Sequence, residues 1–249
     1  LRQMELNRAA YEADATRHRT SIRRLTARIR NAMLAYLQPT PVRAASGALD
    51  AGRIWRGVYL DDDKVFTRIL QSDPGDLSVD ILLDASSFFD AQGQIDRQAV
   101  VAAQGYMIAE SLTRCHIPVR VSSFCSLSGY TVVTRYRDYY ETDKNDRIFN
   151  YFTTGCNRDG LAIRALAKGL EDSPSEHKLV ILLSDVKPND VIQMNHSGSF
   201  VEYAADNGIQ NTAMEIRALT YKGIQVMCVF TGKDDDLPAA HTIYGRNFA

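Results

Sequence analysis

The chain has 249 residues, of which 45% are hydrophobic and 24% charged, which is enough ordinary globular sequence for one large α/β domain and an appendage. The formal net charge of -1 gives no overall signal for nucleic-acid binding. No stretch approaches the ~20 consecutive apolar residues of a membrane-spanning helix, so we expect neither nucleic acid nor a membrane as a partner.

The first predicted element is helical and covers residues 3–37. Apolar residues recur there with the i, i+3, i+4 spacing of one helix face: Ile22, Leu25, Ile29, Met33 and Tyr36. Pro39 and Pro41 end the pattern. Arginines lie between the apolar positions: Arg23, Arg24, Arg28 and Arg30. We expect a helix docked on the rest of the protein with its arginines solvated; the alternative is a basic face for a partner protein.

Three segments are predicted along the chain. Residues 1–44 form a helical N-terminal extension, residues 45–76 lie in a loop-rich connection that begins near residue 42, and residues 77–249 form an α/β domain. The four cysteines form no CxxC pair, which favours buried free thiols over disulfides or a zinc site and indicates a cytoplasmic location.

From residue 77 onward, apolar runs alternate with helical stretches. Strands are predicted at 77–83, 118–124, 130–136, 178–184 and 224–230. Helices are predicted at 95–114, 159–171, 206–222 and 236–246. Continuously apolar runs are typical of strands buried on both faces, and the alternation predicts a doubly wound, mostly parallel sheet with flanking helices. The run at 130–136 follows its neighbour after a short Ser/Gly turn and is expected to form an antiparallel edge hairpin.

Polar residues follow two of the predicted strands. Asp84, Ser86 and Ser87 come after the first, and Asp185 comes after the strand at 178–184. Between them, the polar loop at 153–158 opens a helix. Because ligands bind at the carboxyl ends of the strands in an open parallel sheet, we expect these loops to meet at one rim. Carboxylate, hydroxyl and amide oxygens are ligands suited to Mg²⁺ or Ca²⁺.

This order of motifs resembles a von Willebrand factor A (VWA) domain, whose metal-ion-dependent adhesion site takes ligands from a DxSxS strand end, a later polar loop and a strand followed by SD. A closer resemblance is to the bacterial accessory proteins of the nitric oxide reductase activation (NorD) and cobaltochelatase CobT type. Four segments carry that resemblance: "SGALDAGRIWRGVYLDDDKVFTRI", "NRDGLAIRALAKGL", "HKLVILLSDVKPND" and "IQNTAMEIRALTYKGIQVMCVFTG". They cover roughly residues 45 to 245.

The resemblance implies a degenerate metal site. Phe88 stands where the family has the second serine of DxSxS, and Val186 replaces the glycine of SDG. The usual threonine ligand aligns with Asn157. The remaining candidate ligands are Asp84, Ser86, Asn157 and Asp185. They are expected either to hold Mg²⁺ or Ca²⁺ in a weakened site completed by water, or to hydrogen-bond one another. Ser87 is expected to point elsewhere.

The resemblance also implies a function without catalysis. Such proteins act as adaptors between a MoxR-type AAA+ ATPase and a target protein. The candidate partner-binding residues on the same rim are Phe88, Arg158, Lys187 and Asn189. Asp159 is expected to cap the helix that follows it, and residues 193–208 are expected to form a loop beside the site.

Two other functions remain open at this level. The run "ILLDASS" has the strand–Asp form of a haloacid-dehalogenase-type phosphatase, which would use Asp84 with Mg²⁺, but Ser86 stands where the second aspartate belongs. No GxSxG, P-loop or GxGxxG is present, so we expect no enzyme. The third reading is a metal-independent structural scaffold that makes its contacts through the basic N-terminal helix.

Overall fold

The computed structural model describes residues 2–37, 40–70, 77–87, 94–194 and 200–249. The chain divides into two units: Leu1–Thr26 together with Asp76–Ala249, and Ala27–Gly75. The first elements are α1 (Arg2–Ala13) and α2 (Ala15–Leu37). The helical prediction for residues 3–37 is therefore confirmed, with a break at Asp14 between the two helices.

The smaller unit contains a three-stranded antiparallel sheet. Its elements are β1 (Thr40–Ala44), β2 (Ala48–Leu49), α3 (Ile54–Leu60) and β3 (Phe66–Leu70), with strand order β1-β3-β2. The prediction of a loop-rich connection from residue 42 is wrong where these strands and this helix form. The strands have only two to five residues, which is too short for an alternating pattern to stand out in the sequence.

The N-terminal helix docks within the larger unit, as predicted. Asn7 of α1 is fully buried, and its amide donates to the carbonyls of Phe149 (2.9 Å) and Tyr151 (2.8 Å). The ring of Tyr11 packs against the same segment at Phe149. On α2, Ile22 is buried, whereas the arginines predicted to be solvated are exposed: Arg23, Arg24, Arg28 and Arg30.

The larger unit is built on a five-stranded sheet. Its elements in chain order are β4 (Leu77–Asp84), α4 (Gln94–Thr113), β5 (Val119–Leu127), β6 (Tyr130–Arg137), α5 (Asp159–Gly169), β7 (His177–Ser184), β8 (Asp190–Met194), β9 (Phe200–Tyr203), α6 (Ala205–Tyr221), β10 (Gln225–Phe230) and α7 (Leu237–Tyr244). The strand order is β10-β7-β4-β5-β6. The first four strands are mutually parallel and β6 pairs antiparallel with β5.

Helices cover both faces of this sheet. One face buries alternate strand residues such as Leu82, Leu182 and Cys228 together with apolar residues of α5, α6 and α7. On the other face, Leu83 packs against Gly105 of α4, and α4 in turn contacts α1. Full burial of both faces explains the continuously apolar strand sequences. The predicted doubly wound α/β sheet and its edge hairpin are confirmed.

One further pair of strands was not predicted. β8 and β9 pair antiparallel within the stretch that the sequence analysis assigned partly to a loop at 193–208. Both strands are short and contain polar residues, so no alternating pattern marked them. Among the described helices, none is long and apolar enough to cross a membrane.

Candidate functional site

Two aspartates lie close together at the carboxyl edge of the sheet. Asp84 is the last residue of β4, and Asp185 follows directly after β7. The two strands are parallel neighbours in a register that pairs Leu83 with Leu183, so both strands end at the same level of the sheet. The structure therefore brings together the strand ends that the sequence analysis placed at one rim. Both aspartates are buried.

Asp84 accepts hydrogen bonds from all three loops of the site. The backbone N–H of Ser86 donates to Oδ1 (2.9 Å), while the Asn157 amide (3.2 Å) and the Ser184 hydroxyl (3.1 Å) donate to Oδ2. Burial, followed by the charge of Asp185, raises the pKa of Asp84 to about 6. The raised pKa indicates that these donors compensate the buried negative charge only in part.

Asn157 is fixed by the loop that follows β7. Its backbone N–H donates to the Asn189 carbonyl (2.9 Å), and the Asn189 N–H donates back to its carbonyl (3.1 Å). The Asn189 N–H also donates to Asn157 Oδ1 (3.0 Å). The side-chain oxygen is thus engaged with Asn189 and the NH₂ group faces Asp84, so in this arrangement Asn157 orients the Asp84 carboxylate.

The two serines after β4 have different roles. Ser86 is half-buried and donates its backbone N–H to Asp84. Ser87 instead donates its N–H and its hydroxyl to the Gly155 carbonyl, both at 3.0 Å. It is turned away from the aspartates, as expected from the sequence. Phe88, predicted to contact a partner, lies outside the described residues.

An arginine lies against the second aspartate. Arg97 Nη2 is 2.8 Å from Asp185 Oδ2, and its side chain is 42% exposed compared with 6% for that of Asp185. On the opposite carboxylate oxygen, Asp185 accepts a hydrogen bond from the Lys187 N–H (3.3 Å). Burial acts to lower the pKa of Arg97, but the charge and the hydrogen bond of Asp185 raise it above the usual value. Sequence analysis did not anticipate this residue.

A third aspartate is buried behind the pair. Asp159 is fully buried, and neither of its carboxyl oxygens has a hydrogen-bond partner. Burial, and then the charges of Asp84 and Asp185, raise its pKa well above the usual range. The expectation that Asp159 caps α5 is wrong: the N-cap residue is Arg158, and no side chain makes a capping hydrogen bond. The first turn of α5 faces the core, where Gly160, Ala162 and Ile163 are also buried.

The predicted partner-binding residues differ in their availability. The Arg158 side chain is 14% exposed, its Nε lies 2.8 Å from Asp190 Oδ2, and its guanidinium lies over the Tyr203 ring. Lys187 pairs with Asp236 at 2.9 Å. Asn189 is exposed. Arg158 is thus engaged within the chain, whereas Lys187 and Asn189 border the aspartates on the surface; their roles in binding stay predictions.

The turn after β7 stores backbone strain. Val186 has a φ of 63°, in the left-handed region that β-branched residues rarely adopt, and its side chain is buried. This is the position where the resemblance places a glycine, which adopts such a φ without steric cost. Backbone strain of the kind found at Val186 is concentrated at functional sites.

On the β4 side of the site, the Tyr151 hydroxyl donates a hydrogen bond to the Asp84 backbone carbonyl.

Sequence reasoning missed the parts of the site that come from elsewhere in the chain. Ser184 could have been found, because it is the last residue of a predicted strand and directly precedes Asp185. Arg97 and Tyr151 carried no such signal. Among the residues that the structure describes, no three His, Cys, Asp or Glu side chains are arranged to hold a metal ion. The oxygen donors of Asp84, Ser86 and Asp185 nonetheless have the chemistry that hard divalent cations prefer.

Comparison with known proteins gives a fold but no family. No family model and no curated protein matches the sequence. The chain is similar in structure to three N-terminal domains of the type V pili tip protein Mfa5 from Porphyromonas gingivalis (TM-score 0.53, 10% identity, 68% of this chain and 44% of that one). It is also similar to the manganese-loaded TRAP protein of Plasmodium vivax (0.50, 16%, 70% and 68%) and to the PilB minor pilin of Streptococcus sanguinis (0.51, 13%, 75% and 60%).

These likenesses and the strand order show an α/β fold of the VWA type. At 10 to 16% identity they concern the fold alone. The chain spans 44% of the Mfa5 structure and 60% of the PilB structure, so the activities of those whole proteins are not carried over.

Proposed function

We propose that this chain is a non-catalytic protein-interaction module that uses the carboxyl edge of its VWA-type sheet as the binding site. The observation that carries the proposal is the convergence of Asp84, Ser86, Asn157 and Asp185 from three loops on that edge. The sequence resemblance to NorD and CobT supports a finer form of the proposal, in which the module is an adaptor between a MoxR-type AAA+ ATPase and a target protein in the bacterial cytoplasm.

The hydrogen bonding of Asp84 favours binding over catalysis. A phosphatase nucleophile needs an approachable carboxylate oxygen, but Asp84 is 8% exposed and both of its oxygens accept hydrogen bonds. Asp159, the more strongly perturbed acid, is fully buried. The geometry therefore gives no specific support to the phosphatase alternative.

The chemistry of the site suits a divalent cation held by few protein ligands. Asp84, Ser86 and Asp185 would hold the ion, and Asn157 would orient Asp84 through its amide. A bound cation with open coordination positions would accept a carboxylate from the partner protein. The similarity to the manganese-loaded TRAP protein makes Mn²⁺ the test ion of choice.

The experiment that tests this function is a binding titration with a purified MoxR-type AAA+ ATPase. We expect Asp185→Asn to weaken association by about tenfold or more, since tenfold corresponds to about 1.4 kcal/mol, the size of one charge-assisted contact. Calorimetry in about 1 mM Mn²⁺, repeated in chelator at the same protein concentration, would measure the change in affinity. Circular dichroism of the variant would confirm that its fold is retained.

The matched control reverses the charge of exposed arginines on α2. Arg23, Arg24 and Arg28 are exposed, and no ion pair to them is found among the described residues, so they are the contact surface of the scaffold alternative. We expect their replacement by glutamate to leave the affinity unchanged. Loss of association in this triple variant with no effect of Asp185→Asn would contradict the rim proposal and favour the scaffold.

A further inference from the structure

The site already contains a cation that belongs to the protein. Arg97 Nη2 lies 2.8 Å from Asp185 Oδ2, a normal distance for a charge-assisted hydrogen bond. The arginine is 42% exposed and the aspartate 6% exposed. The ion pair therefore spans from the buried part of the site to the surface, so the arginine can move into water while the aspartate cannot.

The position of Arg97 in its helix is otherwise unfavourable. It lies in the first turn of α4, which begins at Gln94. The N-terminus of a helix carries partial positive charge, which disfavours a cation in the first turn. The contact with Asp185 offsets this cost, so the arginine is held in place by the site and not by its own helix.

The negative charge of the site exceeds what this one arginine neutralises. Asp84, Asp159 and Asp185 act on one another electrostatically, and Asp159 is fully buried without a hydrogen-bond partner for either oxygen. An unpartnered buried carboxylate next to two others is costly unless a proton or a cation compensates it. A proton on Asp159 compensates part of this charge, and a divalent ion at Asp84 and Asp185 would supply more positive charge than a guanidinium does.

A divalent cation bound to Asp185 Oδ2 would compete with the Arg97 guanidinium for that oxygen. A divalent cation binds a carboxylate oxygen at about 2.0–2.6 Å, which places it in the space now taken by the Arg97 nitrogen. The two would also repel each other as like charges. A cation that binds Oδ2 is therefore expected to displace Arg97.

We propose that Arg97 is a displaceable internal counter-ion: it neutralises Asp185 in the metal-free protein, and a divalent cation binds only when Arg97 swings away. The inference rests on the proposed function in that it concerns the same rim site. Its consequence is a weaker metal site, because the apparent affinity scales with the fraction of molecules in which Arg97 has left Asp185. Arg97 therefore raises the metal concentration at which the site is half-filled.

The test is calorimetric titration of the full chain with Mn²⁺. We expect Arg97→Met, which removes the charge of the side chain, to bind Mn²⁺ about tenfold more tightly than wild type, as follows if Arg97 is displaced in about a tenth of wild-type molecules. Arg97→Lys retains the charge and should remain close to wild type. Arg164→Met is the matched control, because it removes one positive charge from an exposed surface pair with Glu215 and should leave the affinity unchanged.

Thermal unfolding without metal gives a second readout. Arg97→Met should unfold at a lower temperature than wild type in chelator, because Asp185 then lacks its counter-charge, and Mn²⁺ should restore more stability to the variant than to wild type. Equal or weaker Mn²⁺ binding by Arg97→Met would overturn the inference, as would absence of binding by both proteins. No partner protein is present in these assays, so that result would leave the interaction proposal standing.

Discussion

Replacing Gly155 by alanine is expected to destabilise the protein by about 3 kcal/mol or more, a loss in the upper range for single substitutions. Gly155 lies in the loop before Asn157 and has a φ of 63°. A Cβ there would come within 2.3 Å of the Ser126 carbonyl oxygen and 2.7 Å of Leu127 Cδ2. The first neighbour is backbone and cannot rotate away, so the loop itself must shift.

The displaced loop would also disturb the site. The Gly155 carbonyl accepts both hydrogen bonds from Ser87, and the next residue, Cys156, pairs with Ser126 through two backbone hydrogen bonds of 2.7 and 2.9 Å. These contacts hold the two loops that provide Ser86 and Asn157. Chemical denaturation of wild type and Gly155→Ala measures the loss of stability.

Gly223→Ala is the matched control for the cost of placing alanine in a left-handed backbone conformation. Gly223 has a φ of 81°, but an added Cβ would meet nothing within 4 Å. Its replacement should cost only the left-handed conformation, about 1–2 kcal/mol. Similar losses in the two variants would show that the close approach to Ser126 has no energetic weight, contrary to the prediction.

Arg120→Met is expected to cost about 3–5 kcal/mol, because it leaves a buried carboxylate without its partner. Arg120 and Asp80 are 3% and 2% exposed, and their side chains form an ion pair between β5 and β4. Tyr139 donates its hydroxyl to the other carboxylate oxygen, and Arg120 Nη1 donates to the Gly169 carbonyl at the end of α5 (3.0 Å). Urea denaturation measures the effect.

The loss should depend on pH. Burial raises the pKa of Asp80 above 3.8, while the charge of Arg120 acts to lower it. A carboxyl group with a higher pKa in the folded than in the unfolded protein lowers stability as pH rises from the unfolded value to the folded one. Without Arg120 the folded pKa rises further and this window widens. Arg120→Met should therefore be closest to wild type at about pH 5 or below and furthest from it at about pH 8.

A double variant separates the buried charge from the lost packing. Asp80→Asn combined with Arg120→Met removes the carboxylate but keeps an acceptor for Tyr139, so it should recover more than half of the stability that Arg120→Met loses. Arg164→Met, at a surface pair whose arginine is 65% exposed, should cost less than about 1 kcal/mol. A double variant as unstable as Arg120→Met would refute the attribution to an unpaired charge.

The main sheet could be predicted from sequence because its signals are local. The runs 81–83, 179–183 and 226–230 within β4, β7 and β10 are continuously apolar, which suffices to identify buried parallel strands. In the smaller unit the strands β1, β2 and β3 are too short to give such a signal. The same limit hid β8 and β9, which are short and contain polar residues.

In the candidate site, the positions of the two aspartates at strand ends were predictable as well. Asp84 and Asp185 each end a strand, so their place at the carboxyl edge follows from the fold class alone. The error at Asp159 has a different origin, because an acid at the first position of a helix usually faces water and the helix N–H groups. Here the first turn of α5 is packed into the core, and no local pattern distinguishes the two situations.

The sequence by itself determined the doubly wound, mostly parallel sheet with its edge hairpin, the two aspartates at strand ends, and the departures Phe88 and Val186. Only the tertiary structure decided the electrostatics of the site: that Arg97 reaches Asp185, that the Asn157 amide turns its NH₂ group to Asp84, and that Asp159 has no partner. The physical reason is distance along the chain. Strand ends are set by neighbours in sequence, whereas these contacts join side chains dozens of residues apart and exist only after the loops pack together.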